Sequence, residues 1–132
     1  MAVNVITYDV GTTGLKTCLF RISAEESVQY LAGETDTYEL HVLENGGVEQ
    51  DPEDWWAAMA RSTRKLLQKT GLDPSKIGGI SFCSQFQTVV MVDENGKPLR
   101  RAMSCMDARA DRQFKNCMST GIKVEGLDIL KV

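Results

Sequence analysis

The run Tyr8-Asp9-Val10-Gly11-Thr12-Thr13-Gly14-Leu15-Lys16 holds the residue types that grip a polyphosphate. Gly11 and Gly14 let the backbone approach phosphate oxygens and tolerate positive φ, Thr12 and Thr13 add hydroxyl donors, and successive turn N–H groups can converge on one anion. Lys16 adds a point charge. Asp9, at the end of a strand and facing the same place, is suited to hold Mg2+ through water, because that ion keeps much of its hydration shell and takes few carboxylates directly. No Gly-Lys-Ser/Thr follows and the next residues read as strand, so this is not a Walker A loop, nor is it the dinucleotide fingerprint. A tight hairpin with polar turn residues accounts for the same spacing.

Other single residues carry less. His41, the one histidine, sits in an acidic loop with no Cys or His nearby and reads as exposed or cap-like rather than as a metal ligand. Cys18, Cys83, Cys105 and Cys117 are too far apart for a CxxC motif and too few for a disulfide scaffold, which points to reduced thiols and a cytoplasmic protein. Asp107-x-Arg109-x-Asp111-Arg112 reads either as a substrate-facing pair or as a helix start with surface ion pairs.

These residues need elements to hold them. Val3 to Tyr8 and Leu15 to Ile22 are rich in β-branched and alternating residues and predict a β-hairpin around Gly11 to Gly14, with a third strand over Val28 to Tyr38 and the sheet region ending at Glu44 to Gly47. Asp51 can cap a helix, Pro52 suits its first position, Glu53 and Asp54 complement its dipole, and Gly71 stops it near Thr70. Trp55, Trp56, Met59, Thr63, Leu66 and Leu67 form its expected apolar stripe. Ile77 to Cys83 then reads as a buried strand returning parallel after the crossover helix, Thr88 to Val92 and Lys97 onward as a hairpin about Asn95-Gly96, and Asp107 to Ser119 as a polar helix. The fold class is α/β with a mixed sheet.

With 132 residues, 42% of them hydrophobic and 25% charged, the chain has enough apolar material for one core and is not a disordered chain. A net charge of −3 removes the electrostatic reason to expect a nucleic-acid partner. The longest charge-free stretch, Ile77 to Val92, is interrupted by Gly, Ser and Gln and falls short of a membrane span. Glu34 to Asp54 carries only acidic charges and Lys97 to Val132 is mainly basic; both read as solvated faces. Past Gly121 an apolar pattern (Ile122, Val124, Leu127, Ile129, Leu130) has barely resumed when the sequence stops, so the chain reads as part of something larger.

The hairpin motif is followed in order by Gly47-Val48-Glu49-Gln50-Asp51-Pro52-Glu53-Asp54-Trp55-Trp56, Gly79 to Gln85, Val92-Asp93-Glu94-Asn95-Gly96-Lys97-Pro98-Leu99-Arg100 and Met106-Asp107-Ala108-Arg109. That series resembles the FGGY family of carbohydrate kinases, its xylulokinase-like members above all. The resemblance implies two actin-like, ribonuclease-H-like domains closing over ATP and a sugar or polyol, with residues 1–132 supplying the first part of the first domain and the rest of domain I and domain II absent. It implies that Gly11, Thr12, Thr13, Gly14 and Lys16 face the nucleotide's terminal phosphates with Asp9 near Mg2+, and that Gln85, Phe86 and Gln87 line the sugar pocket with Asp107 and Arg109. The catalytic Asp base of such kinases lies beyond Val132, so the chain alone is expected to show no turnover.

Xylulokinases commonly show Gln-Met-His-Gly where this chain has Gln85-Phe86-Gln87-Thr88, and Trp-Asn-Asp where it has Cys105-Met106-Asp107. Glycerol kinases commonly place an Arg-Glu pair at Phe86-Gln87. The sugar is therefore not named by the resemblance, although Gln87 suits a neutral polyol. The alternative is a non-catalytic sugar- or phosphate-binding module, or an inert part of such a kinase. Uncovered sheet edges would make homo-oligomers or self-association of the chain a further expectation.

Overall fold

The computed structural model describes residues 2–25, 27–118, 123–124 and 127–128. Its main sheet opens as an antiparallel meander of Val3–Val10 (β1), Leu15–Ile22 (β2) and Val28–Asp36 (β3). The helix Pro52–Thr70 (α1) carries the chain across, and β6 (Ile77–Ser84) returns parallel to β1, giving the order β3-β2-β1-β6. Between them lie two short strands, His41–Val42 (β4) and Val48–Gln50 (β5). Ala102–Met103 (β7) pairs with β5 to make a second sheet of order β4-β5-β7. The helix Asp111–Met118 (α2) and the antiparallel pair Lys123–Val124 (β8) and Leu127–Asp128 (β9) follow.

Alternation decides which face is dry. Ile6, Tyr8 and Val10 of β1, Leu15 and Leu19 of β2 and Ala32 of β3 point to α1, where Ala58 and Leu66 meet them. A buried hydroxyl pair, Thr17 with Ser62 at 2.7 Å, sits in this core, and the Tyr8 hydroxyl meets Thr63 at 2.7 Å beside it. α1 starts and stops as its chemistry dictates. Asp51 accepts from the Glu53 N–H at 3.0 Å, and Gly71 closes the C-terminus at φ 65°, a left-handed conformation that glycine adopts without a Cβ penalty.

Several expectations are corrected. The buried stripe of α1 runs through Ala58, Ser62 and Leu66, with Trp55 and Met59 only half-buried and Trp56 62% exposed. Small residues let the helix approach β2 and β3, and the indoles fall on its flank. β6 is an edge strand rather than a buried one: Ile80 and Phe82 share the face of Ile6 and Tyr8 but are each more than half exposed, because α1 packs over β2 and β3 and leaves this end of the face uncovered. The Asp93 to Gly96 turn forms, with Asp93 N–H bonded to the Lys97 carbonyl at 2.9 Å, yet its arms share only the Val92–Pro98 bridge and one Leu99 to Met91 bond. Pro98 has no N–H to extend the ladder. The sheet region does not end at Gly47, since the turn there joins β4 to β5. α2 begins at Asp111, not Asp107, whose carboxylate is engaged elsewhere; the expected helix end at Ser119 and the residues Ile122, Ile129 and Leu130 lie outside the described residues.

Candidate functional site

The β1–β2 register places Asp9 opposite Lys16, and their charges lie 3.6 Å apart on the sheet face away from α1. Both are well exposed. The turn between them closes with the Gly11 N–H on the Gly14 carbonyl at 3.0 Å, and the Tyr38 hydroxyl donates to the Gly11 carbonyl. Burial, reinforced by the Asp9 charge, pushes the Tyr38 phenol up to about 12, so it stays protonated and keeps donating across neutral pH. Glycine is needed at position 14 for space rather than for φ: a Cβ there would meet the Asp36 carbonyl oxygen of β3 at 2.7 Å. Neither Gly11 nor Gly14 takes a positive φ.

β6 brings Cys83 beside Asp9 and carries Gln85 to the same sheet end, where the Gln85 N–H donates to the Val10 carbonyl at 2.8 Å. Burial, then the bond and charge of Asp9, raise the Cys83 thiol, which keeps it protonated at neutral pH. Cys18, Cys83 and Cys105 are free thiols, while the Cys117 side chain lies outside the description. Phe86 points outward, 77% exposed, and Gln87 takes φ 53°, an unusual conformation for a side-chain-bearing residue, at the start of the loop toward Val89.

The residues that tie these parts together come from β5. Gln50 donates through Nε2 to the Thr12 carbonyl at 2.8 Å and accepts from Gln85 Nε2 at 2.7 Å. Its neighbour Glu49 accepts from Arg109 at 2.7 Å and from Arg100. Asp107 holds the Arg109 guanidinium at 2.6 to 3.0 Å and accepts the Val48 N–H at 3.1 Å. Arg109, with a smaller opposing cost of burial, lowers both carboxyls, Asp107 to about 2; the Arg109 guanidinium is shifted upward in return. Asp107 and Arg109 thus form a compact ion cluster with Glu49 and do not touch Gln85. The acidic and basic runs are not merely solvated faces at these positions, since Glu49 belongs to one and Arg100 and Arg109 to the other. Sequence reasoning singled out neither Glu49, Gln50 nor Arg100. The buried short strand that makes them matter has only three residues and no periodic signal.

The site offers a cation, a carboxylate and a backbone turn for an anion, next to neutral amides. Among the described residues no cluster of three or more metal-binding side chains occurs; the exposed Asp9 carboxylate is of the kind that holds a largely hydrated Mg2+ through water. His41 lies 3.2 Å from Glu39 in β4 and its side chain is mostly shielded, which corrects the expectation of exposure. No helix among the described residues is long and apolar enough to cross a membrane.

Residues 4–126 match the model of the FGGY family of carbohydrate kinases, N-terminal domain. The chain is similar to a xylulose kinase of Staphylococcus epidermidis, 32% identical over 111 residues, covering 84% of this chain and 22% of the relative. It is also similar to a glycerol kinase of Roseobacter denitrificans, 30% identical over 119 residues, covering 89% and 23%. Among solved structures, a gluconate kinase from Lactobacillus acidophilus superposes with a TM-score of 0.79 at 26% identity over 92% of this chain and 23% of the other. The chain thus spans less than a quarter of the length of these relatives. Its sheet order and crossover are those of the ribonuclease-H-like, actin-like ATPase fold that the kinases share, and the chain belongs to the FGGY family of carbohydrate kinases.

Proposed function

We propose that this chain supplies the first part of domain I of an enzyme that transfers the γ-phosphoryl group of ATP to a hydroxyl of a neutral sugar or polyol in the cytoplasm. The observation that carries the reading is the Asp9 and Lys16 pair flanking the 11–14 turn, bonded through Val10 to the segment that begins at Gln85. Phosphoryl transfer asks a protein mainly for positioning and charge neutralisation. In this reading Thr12, Thr13 and Gly14 offer backbone N–H groups and hydroxyls to the terminal phosphates, Gly11, whose own N–H closes the turn, lets them approach, and Lys16 neutralises them. Asp9 would hold Mg2+ through water, and the ion supplies further neutralisation when bound. Gln85, Phe86 and Gln87 border the sugar. Asp107 and Arg109, whose charges are already matched, give its hydroxyls a polar wall rather than a charged grip. Gln87 can donate to and accept from hydroxyls without carrying charge, which suits a neutral acceptor.

The base that takes the hydroxyl proton belongs to a later segment of a longer polypeptide, and its loss alone typically costs ~10²–10⁴ in rate. The 132 residues by themselves are therefore expected to be inactive. Exposed Ile80 and Phe82 on the face of β6, whose outer edge no other described strand pairs, support self-association of that isolated form, which a monomeric sedimentation profile at high concentration would refute.

The test uses the protein at its natural length with MgATP and a panel of neutral sugars and polyols. Phosphate transfer to at least one, abolished by Asp9→Ala and weakened by Lys16→Met, is expected. Crystals with MgADP and a γ-phosphate mimic should place the phosphates at the 11–14 turn. Ligand density elsewhere, or sugar binding without any nucleotide effect, would favour a non-catalytic module.

A further inference from the structure

Gln50 is 1% exposed, and a buried amide is retained only where its donors and acceptors are met. Its two contacts have a forced direction. Thr12 contributes a carbonyl, so Gln50 must turn Nε2 toward it, and this leaves Oε1 for Gln85. Gln85 must then offer its own Nε2 and turn its Oε1 away from β5.

That oxygen is buried and finds no partner among the described residues, and the same is true of Trp55 Nε1 and Thr88 Oγ1. Trp55, Gln85 and Thr88 all line one cavity of about 270 Å3 whose other walls include Val10 and Met59. An acceptor, a donor and a hydroxyl stand unmatched around a mainly apolar hollow. Such a set suits a hydroxyl-bearing neutral molecule, which can donate to Gln85 and accept from Trp55.

We propose that Gln50 is a positioning residue: it fixes the Gln85 amide so that Oε1 faces the acceptor substrate's hydroxyl, and through Thr12 it ties that end of the site to the 11–14 turn. The proposal rests on the phosphotransfer reading above.

The experiment uses the natural-length protein and three near-isosteric variants. In Gln50→Glu the carboxylate still accepts from Gln85 but faces the Thr12 carbonyl with a second acceptor, so only the turn arm is cut. Gln50→Met cuts both arms, and Gln85→Met cuts only the substrate arm. Two readouts are taken, the KM values for MgATP and for the acceptor, and backbone hydrogen exchange over 11–14 and 84–88. For Gln50→Met, both KM values should rise about fivefold or more, with exchange roughly tenfold faster in both segments. Gln50→Glu should raise the KM for MgATP and the exchange of 11–14, with the acceptor KM within about twofold of the parent's. Gln85→Met should raise the acceptor KM alone.

A merely structural role would lower the melting temperature of all three without this split. Gln50→Glu matching Gln50→Met in every readout, or neither readout moving in Gln50→Glu, overturns the proposal even if Gln50→Met fails to fold. A parent that transfers phosphate while exchange stays unchanged sinks the relay alone. A parent that transfers none, with the exchange pattern intact, sinks the phosphotransfer reading and the substrate role of Gln85 with it.

Discussion

Glu49 and Arg109 meet at 2.7 Å although one lies on a buried three-residue strand and the other follows the last strand of the same small sheet. Arg100 approaches the same Glu49 oxygen, so one carboxylate gathers two cations from the basic end of the chain. Glu49→Gln should remove the charge from this junction while keeping its shape, and a destabilisation of about 1.5–3 kcal/mol is expected, as for hydrogen bonds to charged groups. Urea unfolding of both forms at pH 7 measures it, and an unchanged midpoint would show that the cluster contributes nothing.

The same cluster sets an acid limb. Asp107 falls from 3.8 to about 2 in the folded state, and Glu49 is lowered as well. Between roughly pH 4 and pH 2 the unfolded chain binds more protons than the folded one, so stability is held above that window and lost as pH falls through it. Asp107 alone should account for roughly 2 kcal/mol of this loss. Asp107→Asn should flatten the decline between roughly pH 4 and pH 2 in a urea series. A slope identical to the parent's would contradict the assignment.

Thr17 and Ser62 are both fully buried and satisfy each other at 2.7 Å, with Ser62 also reaching the Met59 carbonyl at 3.2 Å. Thr17→Val removes one partner of that buried pair, although Ser62 keeps the Met59 carbonyl, and should cost about 1–3 kcal/mol, whereas adding Ser62→Ala to it should cost little more. Four melting curves complete the cycle. Strict additivity of the two losses would mean the hydroxyls do not interact.

Gly14→Ala drives a Cβ into the Asp36 carbonyl, and neither backbone can yield without shifting the turn or β3. Overpacking of this kind costs typically about 1–3 kcal/mol. Nucleotide affinity should fall further than stability does. Gly79→Ala is the control, since its Cβ would make ordinary contact with Val5 at 3.6 Å. Equal nucleotide affinity for Gly14→Ala and the parent would detach the turn from ligand binding.

Much of the scaffold was readable because its signals are local. Alternation gave the β1–β2 hairpin, Asp51, Pro52 and Gly71 bounded α1 to the residue, and the parallel return of β6 followed from a strand after a helix. Turn chemistry at Asp93 to Gly96 was also local. The misreadings have non-local causes. Trp56 has the right spacing for a core stripe, but the small Ala58 and Ser62 won the interface because they let α1 approach the sheet. β5 is too short to show a period, and its importance comes from what Gln50 and Glu49 reach on segments far away in sequence. Asp107 looked like a helix start because a carboxylate that caps a turn carries the same local signature as one that caps a helix.

The parallel seam between β1 and β6 joins the two ends of a loop that contains β2, β3 and all of α1. Hairpins and helices can close in microseconds from neighbouring residues, whereas this seam has to wait for a long-range search whose entropy is lost before any ladder bond rewards it. On a ribosome the opening meander and the helix emerge first, so the contacts that bring Cys83 and Gln85 beside Asp9 form only after those elements are in place. Ligand competence should therefore lag behind the recovery of helical signal during refolding.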